Sequence, residues 1–151
     1  MKTITENSLK AEAANDNINI DEINSLLVQR LAEKGIKIAT AESCTGGLIS
    51  KKITEISGAS AVFDCGVCSY SNEIKSRVLK VSRTTLDAVG AVSEETAVEM
   101  AKGVRELANS YIGVSTTGIA GPTGGTPQKP VGLVYICLLY TSPSPRDKRQ
   151  S

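Results

Sequence analysis

The stretch IKIATAESCTGGLISKKITEI (residues 36–56) decides how this chain is read. Its opening, IKIAT (36–40), has the β-branched, apolar character of a short strand. Its close places Leu48, Ile49, Ile53 and Ile56 on one face of a helix running from about Gly47 to Ile56. Between them TAESCTGG (40–47) concentrates a carboxylate, hydroxyls, a thiol and two glycines. A strand that feeds a helix through a short polar turn is the repeating unit of an α/β domain.

The same alternation extends outward on both sides. Upstream, Asn19 and Glu22 have capping-box-like spacing. Ile23, Leu26, Leu27 and Leu31 then share a helical face, and Gly35 is a natural stop. Residues 1–18 lack apolar periodicity and read as a disordered arm or linker stub. Downstream, AVFDCGVCSYS (61–71) reads as a buried strand and SNEIKSRVLK (71–80) as a short helix. Ser93 caps a longer helix whose buried face is Ala97, Met100, Ala101, Val104 and Leu107. YIGVSTTG (111–118) is a strand, GIAGPTGGTPQKPVG (118–132) a loop, and LVYIC (133–137) a last strand. The expected fold is a three-layer α/β/α domain with a largely parallel or mixed sheet.

Composition narrows the function. The chain has 151 residues, enough for one domain core, and a net charge of +1, which gives no electrostatic case for nucleic-acid binding. No apolar run approaches the ~18 residues that span a bilayer, and the N-terminus lacks a signal-peptide core, so a cytoplasmic protein is expected. Cys44, Cys65, Cys68 and Cys137 are expected to be reduced thiols. Histidine is absent, which excludes a Ser-His-Asp or Cys-His hydrolase within one chain. A general base must then be Lys, Tyr, Asp, Glu or water.

Three polar segments follow, or overlap the end of, predicted strands: TAESCTGG, CSYSNEIK (68–75) and TTGIAGPTGG (116–125). Ligands in open α/β sheets sit beyond the carboxyl ends of strands, so these loops are expected to meet at one edge. In the first, Gly46 and Gly47 allow close backbone approach, and free helix-start N–H groups bind anions or oxyanions. Ser43 and Thr45 serve either as nucleophile and substrate ligands or simply as helix caps. Cys44 reads as a small buried residue. In the second, Tyr70 and Lys75 flank a strand-to-helix junction. Lys75 is either a solvated lysine or, if burial lowers its pKa, the base of a Ser/Lys pair. The third lacks the ending of a P-loop and is a weak phosphate cradle on its own. Cys65 and Cys68 form one C-x-x-C, but on a strand they point to opposite faces, which disfavours a shared metal.

Taken together, TAESCTGGLISKKITEISGASAVFDCGVCSYSNEIKSRVL (40–79), GAVSEETAVEMAKGVREL (90–107) and STTGIAGPTGGTPQKPVGLVYI (115–136) resemble the CinA C-terminal domain family, which includes nicotinamide-nucleotide amidase. The resemblance covers about residues 20–136. It implies a three-layer α/β domain that converts nicotinamide mononucleotide to nicotinate mononucleotide and ammonia by a Ser/Lys-type mechanism. No cofactor and no metal are implied. The partner is a small-molecule nucleotide rather than nucleic acid or membrane, and a homo-oligomer is compatible. The catalytic positions implied are Ser43, Lys75, Tyr70 and Ser60, with Ser43 preferred as nucleophile and Ser60 the alternative. Tyr70 is expected to relay or orient the proton that Lys75 takes, with amides of Thr45 to Gly47 at the oxyanion. Substrate contacts fall on Glu42, Thr45, Gly46, Gly47, Asn72, Thr117, Gly118, Gly121, Gly124 and Gly125, the last three near the phosphate.

Two further expectations qualify this. CLLYTSPSPRD (137–147) is similar to one reading frame of a transposase sequencing adapter, so the natural sequence is expected to end near Ile136 and family elements beyond it to be replaced. Many family members also carry an N-terminal molybdopterin-binding-like domain; the polar arm at 1–18 fits the start of a stand-alone protein and the stub of a longer one equally. The competing functions are a nucleotide-binding module without catalysis, made inactive by truncation, and a redox or metal protein using Cys65 and Cys68.

Overall fold

The computed structural model describes residues 22–141. The predicted arm 1–18, the Asn19 end of the capping box and residues 142–151 lie outside them. Ile38–Glu42 forms β1, with every residue buried. It starts two residues later than IKIAT and runs through Glu42 because it is paired on both sides. Its neighbours are β2 (Phe63–Cys68) and β3 (Ile112–Gly118), both parallel to it. β4 (Val134–Tyr140) lies antiparallel to β3, giving the mixed sheet order β2-β1-β3-β4. β4 runs past Ile136, with Cys137 opposite Ser115 and Tyr140 opposite Ile112.

Alternation along β1 sorts the core into two halves. Ala39 and Ala41 pack with Leu79, Val81, Leu86, Met100 and Val104 on one face. Ile38 packs with Val28, Leu31, Ile53 and Val62 on the other. The first face is covered by α3 (Asn72–Leu79), α4 (Arg83–Val89) and α5 (Glu94–Leu107), the second by α1 (Ile23–Glu33) and α2 (Leu48–Thr54). This is the expected three-layer arrangement. Tyr135 and Leu139 of β4 pack beside buried Cys137 against α5 residues Ala97 and Ala101, while Val134, Ile136, Leu138 and Tyr140 are exposed on the opposite face.

Several local expectations change. β2 is not fully buried: half-buried and exposed residues alternate along it, because it is an edge strand. Cys65 packs against the core and Cys68 is exposed, as alternation requires. On α1 the buried residues are Val28 and Leu31, with Ile23 and Leu27 exposed; Leu48 and Leu107 are also exposed at helix ends. Helix α4 carries no long apolar pattern and is missed by periodicity. Its signals are capping ones: Ser82 Oγ accepts from Thr84 N at 3.2 Å, and Gly90 ends it.

Candidate active site

The three polar segments do converge. Loops after β1, β2 and β3 enclose a cavity of about 180 Å³ lined by Ser43, Cys44, Tyr70, Asn72, Lys75, Ala91, Val92, Thr117, Gly118 and Ala120. The loop after β1 is shaped by two successive left-handed glycines, Gly46 (φ 61°) and Gly47 (φ 101°), which turn the chain from strand into α2.

Glu42 organises that turn from within. Its side chain is wholly buried. One carboxylate oxygen accepts from Thr45 Oγ1 (2.6 Å) and Ile49 N (3.0 Å); the other accepts from Ser50 N (2.8 Å) and Ser50 Oγ (2.8 Å). Thr45 Oγ1 also lies 2.7 Å from Thr116 Oγ1, tying the turn to β3. Glu42 therefore neutralises the orphan amides of α2, and it is not among the residues lining the cavity. The expectation that Glu42 touches substrate is corrected: its carboxylate is consumed by the protein. Burial acts to raise its pKa, but the hydrogen bonds outweigh burial and hold it below the usual carboxylate range. A group with a depressed folded pKa stabilises fully above its unfolded pKa and loses that contribution as pH falls through the folded one. Glu42→Gln turns an NH₂ group toward one of these N–H donors. It is expected to cost about 2–3 kcal/mol in urea unfolding at pH 7 and to flatten the acid limb of stability.

Lys75 enters from α3. Ser71 Oγ caps that helix, accepting from Ile74 N at 3.2 Å. One turn on, Lys75 and Leu79 share its buried face. Lys75 is 1% exposed, so the solvated-lysine reading fails. Its Nζ lies 3.1 Å from Ser43 Oγ and donates to Ser69 O at 2.8 Å. Both partners are neutral oxygens. Burial lowers the Lys75 pKa, partly opposed by the Cys44 and Cys68 thiols, whose charge as thiolates would raise it. Burial likewise pushes the Cys44 thiol up, against the pull of its own and the Thr45 amide and of Lys75. The arrangement is a buried amine with a lowered proton affinity, in hydrogen-bond reach of a serine hydroxyl.

The remaining candidates separate. Thr117 and Gly118 line the cavity, with Thr117 Oγ1 donating to Ala91 O at 2.7 Å. Asn72, the first residue of α3, also lines it. Tyr70 stands at the mouth, 80% exposed. Both hydrogen bonds of Lys75 go elsewhere, which places Tyr70 at the entrance rather than in a relay. Gly121, Gly124 and Gly125 are not among the lining residues. Their loop closes on itself, with Thr126 N donating to Lys129 O at 2.8 Å and Gly132 N to Ile119 O at 2.8 Å. The expected oxyanion amides are also reduced: Gly46 N donates to Ser43 O at 3.1 Å.

Ser60 is excluded as the nucleophile of this site. It is exposed in the 3₁₀ turn Ala59–Ala61, before the amino end of β2. The cavity lies beyond the carboxyl end, so the length of β2 separates them, roughly 20 Å at a strand's rise. Ser60→Ala is expected to leave whatever activity this site carries within about twofold of the parent, consistent with the small effects of surface changes.

Ala91, Val92 and Thr116 were not singled out by sequence reasoning. Ala91 and Val92 are apolar wall residues ahead of a helix cap, with no chemical signature. Thr116 looks like one more β-branched strand residue. Among the described residues no helix is long and apolar enough to cross a membrane.

Residues 20–150 match the family model described as the CinA C-terminal domain. A relative in Kosmotoga olearia, named CinA-like protein, is 54% identical over 118 residues, covering 78% of this chain and 29% of that protein. A relative in Caldanaerobacter subterraneus subsp. tengcongensis is 59% identical over 119 residues, covering 79% of this chain and 29% of its own length. The chain thus spans less than a third of these curated relatives. Among solved structures, the competence/damage inducible protein CihA from Agrobacterium tumefaciens superposes with a TM-score of 0.78 at 44% identity, covering 80% of this chain and 73% of that one.

Proposed function

The chain belongs to the CinA C-terminal domain family, and from that premise we propose that it is a Ser/Lys amidohydrolase that converts nicotinamide mononucleotide to nicotinate mononucleotide and ammonia. The observation that carries the reading is Lys75: a lysine 1% exposed, without a carboxylate partner among the described residues, set 3.1 Å from Ser43 Oγ. Burying an amine costs stability unless it is paired. Such a cost is common where a shifted pKa is put to use.

In this reading neutral Lys75 accepts the Ser43 hydroxyl proton as Oγ bonds to the carboxamide carbon. The carbonyl π electrons move to oxygen, where the amides of Thr45 and Gly47, with Gly46 N already held by Ser43 O, receive the charge; each such donor is worth about 3–4 kcal/mol. Collapse breaks the C–N bond, and the Lys75 ammonium returns the proton to the departing nitrogen, which leaves as ammonia. Water then adds to the acyl-serine with Lys75 again as base, releasing the acid. Asn72, Thr117 and Gly118 line the space for the substrate, and Tyr70 at the mouth offers a face for the base or ribose. The chemistry uses only residues that survive the absence of histidine.

Incubation with nicotinamide mononucleotide is expected to release ammonia and nicotinate mononucleotide in equal amounts. Binding of the nucleotide with no ammonia above a Ser43→Ala control points instead to a non-catalytic nucleotide-binding module.

A further inference from the structure

Ser69 carries an unexplained feature. It is 0% exposed, and its Oγ has no hydrogen-bond partner among the described residues. Buried hydroxyls are nearly always paired, so an orphan one calls for a reason. Ser69 follows β2 directly and is held in strand register, its N–H donating to Glu42 O at 2.8 Å. It shares a face with Cys65 and Val67, which pack toward the α3–α5 side of the sheet. Its own carbonyl is the oxygen that Lys75 Nζ donates to at 2.8 Å. The orphan hydroxyl is therefore carried by the residue that already holds the amine, and one torsion, χ1, sets where it points.

The change in donor strength at Lys75 on protonation gives this hydroxyl a use. A neutral amine has two N–H donors and one lone pair; an ammonium has three donors and no lone pair. With Lys75 neutral, as the Ser43–Lys75 reading requires, the lone pair takes the Ser43 O–H, one N–H goes to Ser69 O, and the second N–H, a weak uncharged donor, has no acceptor. After proton transfer one donor faces the Ser43 oxygen or the departing nitrogen, and one stays on Ser69 O. The remaining N–H, unpaired before as well, now carries part of the ammonium charge and still has no acceptor at the distances present, so leaving it unpaired costs more. The titratable groups whose charge would reach Nζ are the Cys44 thiol and the exposed Cys68 thiol. Neither thiol is a strong acceptor, and burial pushes the Cys44 thiol's pKa up, further from the thiolate.

Resting on the Ser43–Lys75 reading above, we infer that Ser69 is a positioning residue whose hydroxyl accepts the third N–H of Lys75 when the lysine is protonated. It is idle in the resting enzyme and paired in the intermediate. This is the pattern that favours the transition state over the ground state.

Three variants and two readouts test this on the full chain. The Lys75 side chain is titrated by its 13Cε NMR resonance, which needs no substrate, and amide hydrolysis is followed against pH. Ser69→Ala is expected to lower the Lys75 midpoint by about one pH unit, since the ammonium loses a charge-assisted bond. It is expected to reduce kcat about tenfold with KM unchanged, while its melting temperature stays at or above that of the parent, because the lost hydroxyl had no partner. Ser69→Thr, which keeps a hydroxyl, is expected to restore the midpoint and most of kcat; Ser69→Cys is expected to restore neither. An Ala variant with the parental midpoint overturns the inference, as does a Thr variant that behaves like Ala. If the parent hydrolyses no amide, the NMR midpoint still decides the role of Ser69, and only the amidase reading falls.

Discussion

Lys75→Met is expected to lower kcat for the proposed amide hydrolysis by about a thousandfold or more, while the protein stays folded and unfolds at the same or higher temperature. The two halves of this result come from one fact. Lys75 is 1% exposed with its Nζ on neutral oxygens, so the fold gains little from it and the proposed chemistry depends on it. General-base removal costs about 10²–10⁴ in rate. A nucleophile and base that act as a unit cost more, because either loss disables both. Methionine keeps the length of the chain within the α3–sheet layer and removes the polar head. The pH dependence has a definite sign. Burial places the folded pKa below the ordinary lysine value, so between the two values the unfolded chain binds more protons. Stability therefore rises with pH across that window. Met removes this slope, and denaturant midpoints measured at several pH values check it. A structural lysine would give the reverse: a large loss of stability and a small loss of rate.

Gly103→Ala destabilises by about 3 kcal/mol or more, the upper end of overpacking effects. A domain of this size has a total of about 5–15 kcal/mol, so this is a large fraction. Gly103 is buried in the middle of α5, where a glycine otherwise costs about 1 kcal/mol relative to alanine. Its use is proximity. A Cβ there would overlap the Leu79 carbonyl oxygen, with the Leu79 backbone behind it. Backbone cannot swing aside as a side chain does. Leu79 ends α3, the helix that presents Lys75, and Val81 N donates back to Lys75 O at 3.1 Å. Pushing α3 off α5 therefore moves Lys75 relative to Ser43. Thermal unfolding is expected to show a melting temperature lower by about 10 °C or more. Whatever activity remains is expected to fall more than the folded fraction does.

How much of this was readable from sequence differs by element. β1, the turn and α2 were legible because apolar period and glycine punctuation agreed. The Ser93 cap was legible too, and Ser93 Oγ accepts from Thr96 N at 3.2 Å as that reading requires. The convergence of three loops followed from a topological rule, and the resemblance to the CinA C-terminal domain family was carried by ordered blocks rather than a single motif. What failed was what depends on neighbours distant in sequence. Glu42 stood among the substrate contacts that the resemblance implies; only the fold shows its carboxylate turned back on α2. Ser60 sat in a matching block but at the wrong end of its strand. Lys75 could not be told from a surface lysine until Leu79, four residues on, was seen to share its face in the core. The exposed face of β4 and the half-open β2 are edge effects, set by strand order.

The most direct test of the Ser43–Lys75 pair is to quantify ammonia and nicotinate mononucleotide from nicotinamide mononucleotide for the parent, Ser43→Ala and Ser60→Ala side by side. The account predicts equimolar products from the parent and from Ser60→Ala, and loss of about a thousandfold or more for Ser43→Ala. Full activity in Ser43→Ala, or loss in Ser60→Ala with the fold intact, would contradict it.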